Sequence, residues 1–343
     1  DELSLVNLTL LTASNNEVLP CLADAAERVL GASSIGLLPA ERAAGWPVQS
    51  IPALLLGRVG NSLQEIWRLD TACQSGISEG ISYRRAGPLL YGVIELDESA
   101  FAEDDSPLQA ATEEAYRRIF RLIEREGLPH LWRVWNYLAD INRESDGLER
   151  YRQFNIGRQD AFIEFSRGAT GNVPAACAIG LAGGPLSIAF MAGNQPAVPV
   201  ENPRQVSAYN YPASYGPRSP TFSRAALVYL PGQEILFISG TASIVGHQTV
   251  HPGDVAGQCE ESLANVAAVL AAASAASRGV TYRLETLCYR VYVRHVEDFP
   301  VIRDILLARL GAAVEIVYLQ ADICRSDLLI EIEAMASQAL GSC

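Results

Sequence analysis

Apolar and polar positions along the 343 residues follow two different periods, and the places where the period changes mark out the elements. Over residues 1–100, short apolar runs at 3–11, 35–38, 51–59 and 89–96 are separated by Gly, Pro and Ser. That pattern predicts strands and turns, with one helix near 18–30. Ser106-Pro107 followed by Glu113 and Glu114 reads as a helix start, and Ala115, Ile119, Leu122 and Ile123 keep helical spacing over 111–126 until Gly127 ends it. A strand at 130–141, a helix at 151–165 and strands at 175–181 and 186–191 follow. In the last third, 254–276 is an Ala-rich helix apolar nearly all round and therefore expected to be buried. Residues 288–299 read as a strand, 301–310 as a helix, and 314–324 and 328–336 as strands. The order helix, strand, helix, strand, strand thus occurs twice. LWRVWNYLADI (131–141) and CYRVYVRHVED (288–298) also share an Arg-Val-aromatic core. The expectation is an α+β fold of two similar units packed together, residues 1–200 and 201–343.

Residues 320–336 form two short strands joined at the polar turn Arg325-Ser326-Asp327. Strand alternation puts Leu328, Ile330, Ile332 and Ala334 on one face and Leu329, Glu331 and Glu333 on the other. Two carboxylates on one strand either line a solvated sheet face or do chemistry. Between the halves, VSAYNYPASYGPRSPTFSR (206–224) carries Tyr209, Tyr211, Tyr215, Phe222, Arg218 and Arg224. Stacking faces, phenolic hydroxyls and forked guanidinium donors suit a small anionic ring, whereas a Pro-rich linker would use the same aromatics only to pack.

Charge narrows the choice. The chain has 26 basic and 39 acidic side chains, a net charge of −13, which opposes attraction to nucleic-acid phosphates or anionic membranes. All 26 basic residues are Arg, so chemistry that needs a P-loop, Schiff-base or Ser-x-x-Lys lysine is excluded. The seven cysteines (Cys21, Cys73, Cys177, Cys259, Cys288, Cys324, Cys343) are odd in number and never form a Cys-x-x-Cys pair. That argues for reduced thiols. No apolar run reaches the roughly 18 residues needed to span a bilayer, and the start DELSLVNLTL lacks the basic end of a signal peptide. A cytoplasmic protein with no membrane or nucleic-acid partner is expected. His247 and His251 stand four apart in HQTVH without an evident third ligand, so no metal site is expected.

Leu236 to Val266, with VYVRHVEDF and LLIEIEAMA, resembles the RidA/YjgF family, which implies a chorismate-mutase-like α+β fold with a site at a junction between units. The arginine that deaminase members carry before the terminal strand falls at Ile316, which disfavours deamination. Over its whole length the chain more closely resembles the chorismatases, through RVWNY (133–137), RYRQFNIGR (150–158), the Tyr-rich linker, ISGTASI (238–244) and ADICRSDLLIEIE (321–333). That resemblance implies cleavage of chorismate with release of pyruvate, Glu331 as the catalytic acid, and substrate contacts from Tyr151, Arg158, Tyr211, Tyr215 and Arg224. It also implies that Gly240 and Cys324 steer the product: members with Gly and Cys there yield 3-hydroxybenzoate, and members with two Ala yield a dihydroxycyclohexadiene carboxylate. The chemistry agrees with the residue types. Chorismate is a dicarboxylate whose enol ether resists cleavage until its methylene carbon is protonated, so two cationic clamps (Arg158, Arg224) and one acid of raised pKa are needed, and no cofactor. Glu333 is expected to matter much less than Glu331, and removing a methyl at Gly240 to give the ring room to turn. Hydrolysis to the dihydroxy acid, a mixed 3- and 4-hydroxybenzoate output, a noncatalytic RidA-like binding module, and a monomeric or homo-oligomeric state all remain open.

Overall fold

A computed structural model describes residues 7–14, 25–37, 45–58, 60, 62–167 and 173–340. Among these residues four α-helices organise the fold: α1 (Pro107–Arg125), α2 (Arg150–Glu164), α3 (Val255–Ala276) and α4 (Phe299–Leu310). Pro107 takes the first turn of α1, where its missing N–H is no loss. Asp254 caps α3 by accepting the Gly257 N–H at 3.0 Å. Gly311, at φ 87°, ends α4 in a conformation that other residues resist.

The repeated order of elements becomes a repeated sheet. In the first half His130–Ala139 lies parallel to Ala175–Leu181 and antiparallel to Leu186–Gly193, which pairs in turn with Leu89–Leu96. In the second, Cys288–Val293 lies parallel to Ile316–Gln320 and antiparallel to Ile330–Ala339, which pairs with Gln233–Thr241. Each sheet has seven strands, and each takes one from the other half of the chain: Asp322–Ile323 joins the first and Leu55–Leu56 the second. α1 and α2 cover the outer face of the first sheet through Tyr116, Ile119, Phe120 and Phe162, and α3 and α4 cover the second through Leu263, Val266, Ile302 and Leu306. The inner faces meet around Trp135, Tyr137, Phe237 and Tyr292. A four-stranded sheet, in the order Thr9–Ser14, Ser62–Arg68, Val29–Gly36, Val48–Ile51, closes one side of that space with Leu63 and Trp67.

Several expectations change in the fold. The helix near 18–30 falls partly outside the described residues, and within them Ala26–Arg28 is a single 3₁₀ turn while Val29 already starts a strand. The strand at 288–299 stops at Val293, and α4 begins at Phe299. The strand at 314–324 breaks into two pieces that serve different sheets. α3 is buried on one side only, since Ala264, Ala271, Ala275 and Ala276 are exposed; alanine is small enough to face either way. Glu331 and Glu333 do not line a solvated face. Each is 4% exposed, because their side of the terminal strand is pressed against the first sheet.

Candidate active site

The site grows from one irregularity. Along Gln233–Thr241 the register against the terminal strand runs Ile238 to Ala334 and then Thr241 to Ile332, so one extra residue is accommodated. Ser239 pins this bulge from three sides. Its Oγ donates to the Ser223 carbonyl (2.6 Å) and accepts from the Ala176 N–H (2.9 Å), and its own N–H reaches the Arg224 carbonyl (3.0 Å). Gly240 then faces Glu331, and the space a side chain would occupy is filled by the acid: a Cβ there would stand 1.8 Å from Glu331 Oε1. The room at Gly240 therefore belongs first to the carboxyl, and not to a substrate ring as the residue pattern alone suggested.

A cavity of about 290 Å³ opens in front of this pair. Tyr151 of α2, Tyr211, Tyr215 and Phe222 of the Tyr-rich segment, Cys324 and Arg325 of the polar turn, and Arg224 form its walls. A smaller annex of about 30 Å³ continues inward past Glu331 and Cys324 to Arg158. The eight residues that the chorismatase resemblance implied thus line these two adjoining spaces, Arg158 only the inner one, whereas Tyr209 and Arg218 line neither and Arg218 pairs with Asp160. Arg158 donates to Asn155 Oδ1 (2.8 Å), and among the described residues its buried Nε has no hydrogen-bond partner. Arg224 donates through Nη2 to the Val206 carbonyl and the Tyr211 hydroxyl, both at 2.8 Å, and its Nε is likewise buried without a partner among the described residues. The Tyr211 and Tyr215 rings pack 5.4 Å apart, and Tyr215 donates to the His247 carbonyl at 2.6 Å. His247 thus lies against the aromatic wall, whereas His251 turns toward Glu261, 3.5 Å away.

The two acids have opposite surroundings. Glu333 contacts Arg133 and lies 3.2 Å from Arg290. Among the described residues Glu331 has no hydrogen bond or ion pair, and burial, reinforced by the charge of Glu333, pushes its carboxyl from 4.5 up to about 8 despite Arg133, Arg294 and Arg224. At neutral pH it holds its proton. Burial and the neighbouring Glu331 push the Cys324 thiol up to about 12, so it stays protonated too. Burial also raises the Tyr151 phenol. The wall consequently offers undissociated acids among guanidinium groups, an arrangement suited to giving a proton to a bound anion.

A family model, the N-terminal domain of FkbO/Hyg5-like chorismatases, matches residues 65–192. A chorismatase of Streptomyces hygroscopicus is 39% identical over 286 residues, covering 82% of this chain and 81% of the relative. The chain belongs to the chorismatase family. A 3-hydroxybenzoate synthase of the same organism is 38% identical over 286 residues, with 79% and 80% covered. A crystal structure of a chorismatase superposes with a TM-score of 0.85 at 33% identity, covering 97% of this chain and 99% of that one. A Rid-family protein of Yersinia pestis matches 41% of the chain and 99% of its own, with a TM-score of 0.31 and 20% identity.

Within this chorismatase fold, the residues that sequence reasoning passed over are mostly arginines. Arg325, read there only as part of a polar turn, stacks on Tyr215 with its guanidinium carbon 4.2 Å from the ring centre. Its Nη1 is anchored on the His247 carbonyl (2.9 Å), and its Nη2 is buried without a partner among the described residues. Arg294 holds the turn in shape, donating to the carbonyls of Ile323, Arg325 and Leu328 and to Asp322. From α3, Gln258 bonds the Asp327 carbonyl and the Leu329 N–H, and Asn265 bonds the Ala242 and Ile244 carbonyls. One helix face therefore fixes two walls of the cavity. The shared Arg-Val-aromatic motif was the one available clue: its two arginines, Arg133 and Arg290, both converge on Glu333.

Proposed function

We propose that this chain converts chorismate to 3-hydroxybenzoate and pyruvate, with Glu331 protonating the methylene carbon of the enolpyruvyl ether. The observation that carries the reading is a buried carboxyl with no counter-ion, held at about 8, on the wall of a cavity that also presents Arg224 and Arg325. Protonation of the methylene weakens the ether bond to the ring, and pyruvate departs with that oxygen as its keto group. The ring hydroxyl moves onto the carbon that is losing the ether, and a ring proton is lost as aromaticity forms. The proton given at the start matches the one lost at the end, so neither oxidant nor water is consumed.

The two substrate carboxylates need separated cations. Arg224 and Arg325 serve the outer chamber, and Arg158 serves the inner end, with Tyr151, Tyr211 and Tyr215 bounding the ring. Cys324, as an undissociated thiol, hands a proton on only while taking another up. The Gly240 and Cys324 pair and the relative named 3-hydroxybenzoate synthase support the aromatic product. Unpaired thiols at Cys73, Cys177, Cys259, Cys288 and Cys324 fit a reducing cytoplasm. Among the described residues no helix is long and apolar enough to cross a membrane.

The test is incubation of the purified protein with chorismate. Pyruvate is followed with lactate dehydrogenase, and the cyclic product is separated by chromatography. Stoichiometric pyruvate and 3-hydroxybenzoate are expected. A dihydroxycyclohexadiene carboxylate as the main product would overturn the assignment of product, and the absence of pyruvate would overturn the reaction.

A further inference from the structure

The contact between Glu333 and Arg290 leads away from the cavity. Arg290 donates to the Tyr137 hydroxyl (2.8 Å) and contacts Glu65, which lies on Ser62–Arg68 of the four-stranded sheet. Arg133, Glu333, Arg290 and Glu65 thus form a chain of alternating charge, and each of the four is under a tenth exposed. Glu65 is unexpected at its place. Its neighbours Leu63, Ile66 and Trp67 go into hydrophobic clusters, and a carboxylate costs far more to bury than an apolar side chain.

What Glu65 does follows from counting charges. Arg133 and Arg290 bring two positive charges to Glu333, which can balance only one of them. A guanidinium does not give up its proton in a protein, so Arg290 is a fixed cation. Burial raises the Glu65 carboxyl, and the Arg290 guanidinium in contact with it is what opposes that. Without Glu65 the group beside Glu331 would carry one net positive charge, which favours loss of the Glu331 proton. The remaining groups facing Glu331 are Arg294 and Arg224, Tyr292 opposite it on the adjacent strand, and Cys324 and Tyr151 across the cavity. Cys177 lies behind it, and Arg158 lies at the inner end of the annex. None of these contacts Glu65.

We propose that Glu65 is a positioning residue for the proton donor: by balancing Arg290 it closes a neutral four-charge cluster around Glu333 and leaves Glu331 as the buried carboxyl with no cation of its own. This rests on the reading of Glu331 as the acid. As a general Coulomb estimate, one uncompensated charge at a separation of about 10 Å and an effective dielectric of about 20 moves a carboxyl by about one pH unit.

The experiment is the pH dependence of kcat/KM for Glu65→Gln, Arg290→Gln and the double variant. Glu65→Gln should move the alkaline fall in activity about one pH unit lower, so that activity near pH 9 drops about tenfold relative to wild type while the acid side keeps its plateau. Arg290→Gln should leave the fall close to wild type, because Glu65, buried and deprived of its partner, takes up a proton, and the double variant should match it. A downward shift in Glu65→Gln that disappears when Arg290 is also replaced is what charge balance requires; a purely structural role lowers the rate evenly at every pH. An even loss, or a downward shift that persists in the double variant, overturns the proposal. Should Glu65→Gln not fold, Glu65→Ala with and without Arg290→Gln gives the same comparison. Infrared difference spectra against Glu331→Gln read the protonated Glu331 band directly, without turnover. They should show the same shifts even if chorismate is not the substrate, which separates failure of this proposal from failure of the proposed reaction.

Discussion

Adding one methyl group at residue 240 probes the site at its tightest point. In Gly240→Ala the new Cβ would stand 1.8 Å from Oε1 and 2.7 Å from Cδ of Glu331, with the Cβ of Cys177 at 3.3 Å. Non-bonded heavy atoms settle near about 3.5 Å, so the carboxyl must retreat by about 1.7 Å. The far end of a Glu side chain can do this by leaving its rotamer, at about 0.5–1.5 kcal/mol, so the fold survives with a small loss of Tm. Catalysis is less forgiving, because a misplacement of about 1 Å can cost roughly 10²-fold. Pyruvate release from chorismate, coupled to lactate dehydrogenase, should therefore fall by about two orders of magnitude. Chromatography should show the surviving product shifting from 3-hydroxybenzoate toward the dihydroxycyclohexadiene carboxylate, further so with Cys324→Ala. Wild-type rate and product ratio in Gly240→Ala would refute the reasoning, since they would mean that the position of the Glu331 carboxyl does not govern the reaction.

As the proposed acid Glu331 acts only when protonated, so kcat/KM should be level below pH 8 and fall about tenfold per unit above it; a profile still flat at pH 10 would exclude Glu331 as the acid. Because its folded-state pKa is raised from 4.5 to about 8, Glu331 weakens the fold by about 1.4 kcal/mol for each pH unit crossed between those values. Glu331→Gln should thus lose about 10²–10⁴ in rate and yet melt higher than wild type at pH 8, which calorimetry would show. Glu333→Gln, of little consequence on the sequence reading, instead leaves Arg133 and Arg290 facing each other in the core; a loss of roughly 3–5 kcal/mol in denaturant titration is expected. Arg224→Lys and Arg325→Lys should each raise KM more than they lower kcat, since a point charge cannot replace a two-point fork; unchanged KM in both would remove them as clamps.

Local pattern made much of this protein readable. α1 to α4 follow from apolar spacing and caps, the twice-repeated order of elements appears as two sheets of like pairing, and family motifs led to Glu331, Gly240 and Cys324 before any fold was known. What the chain alone could not say is where charge ends up. Glu331 and Glu333 differ by one turn of strand alternation and share a face, so no local rule separates them. They differ because Arg133, 200 residues away, reaches Glu333 and not Glu331. Arg290 meets Glu65 across 225 residues, and Arg325 becomes part of a cavity wall only once Tyr215 lies beneath it. Periodicity is written in neighbouring residues, whereas the dielectric and the counter-charge around a side chain come from strands that meet only in the tertiary structure. The proposed acid is therefore visible in the sequence, and the surroundings that hold its proton are set by the fold.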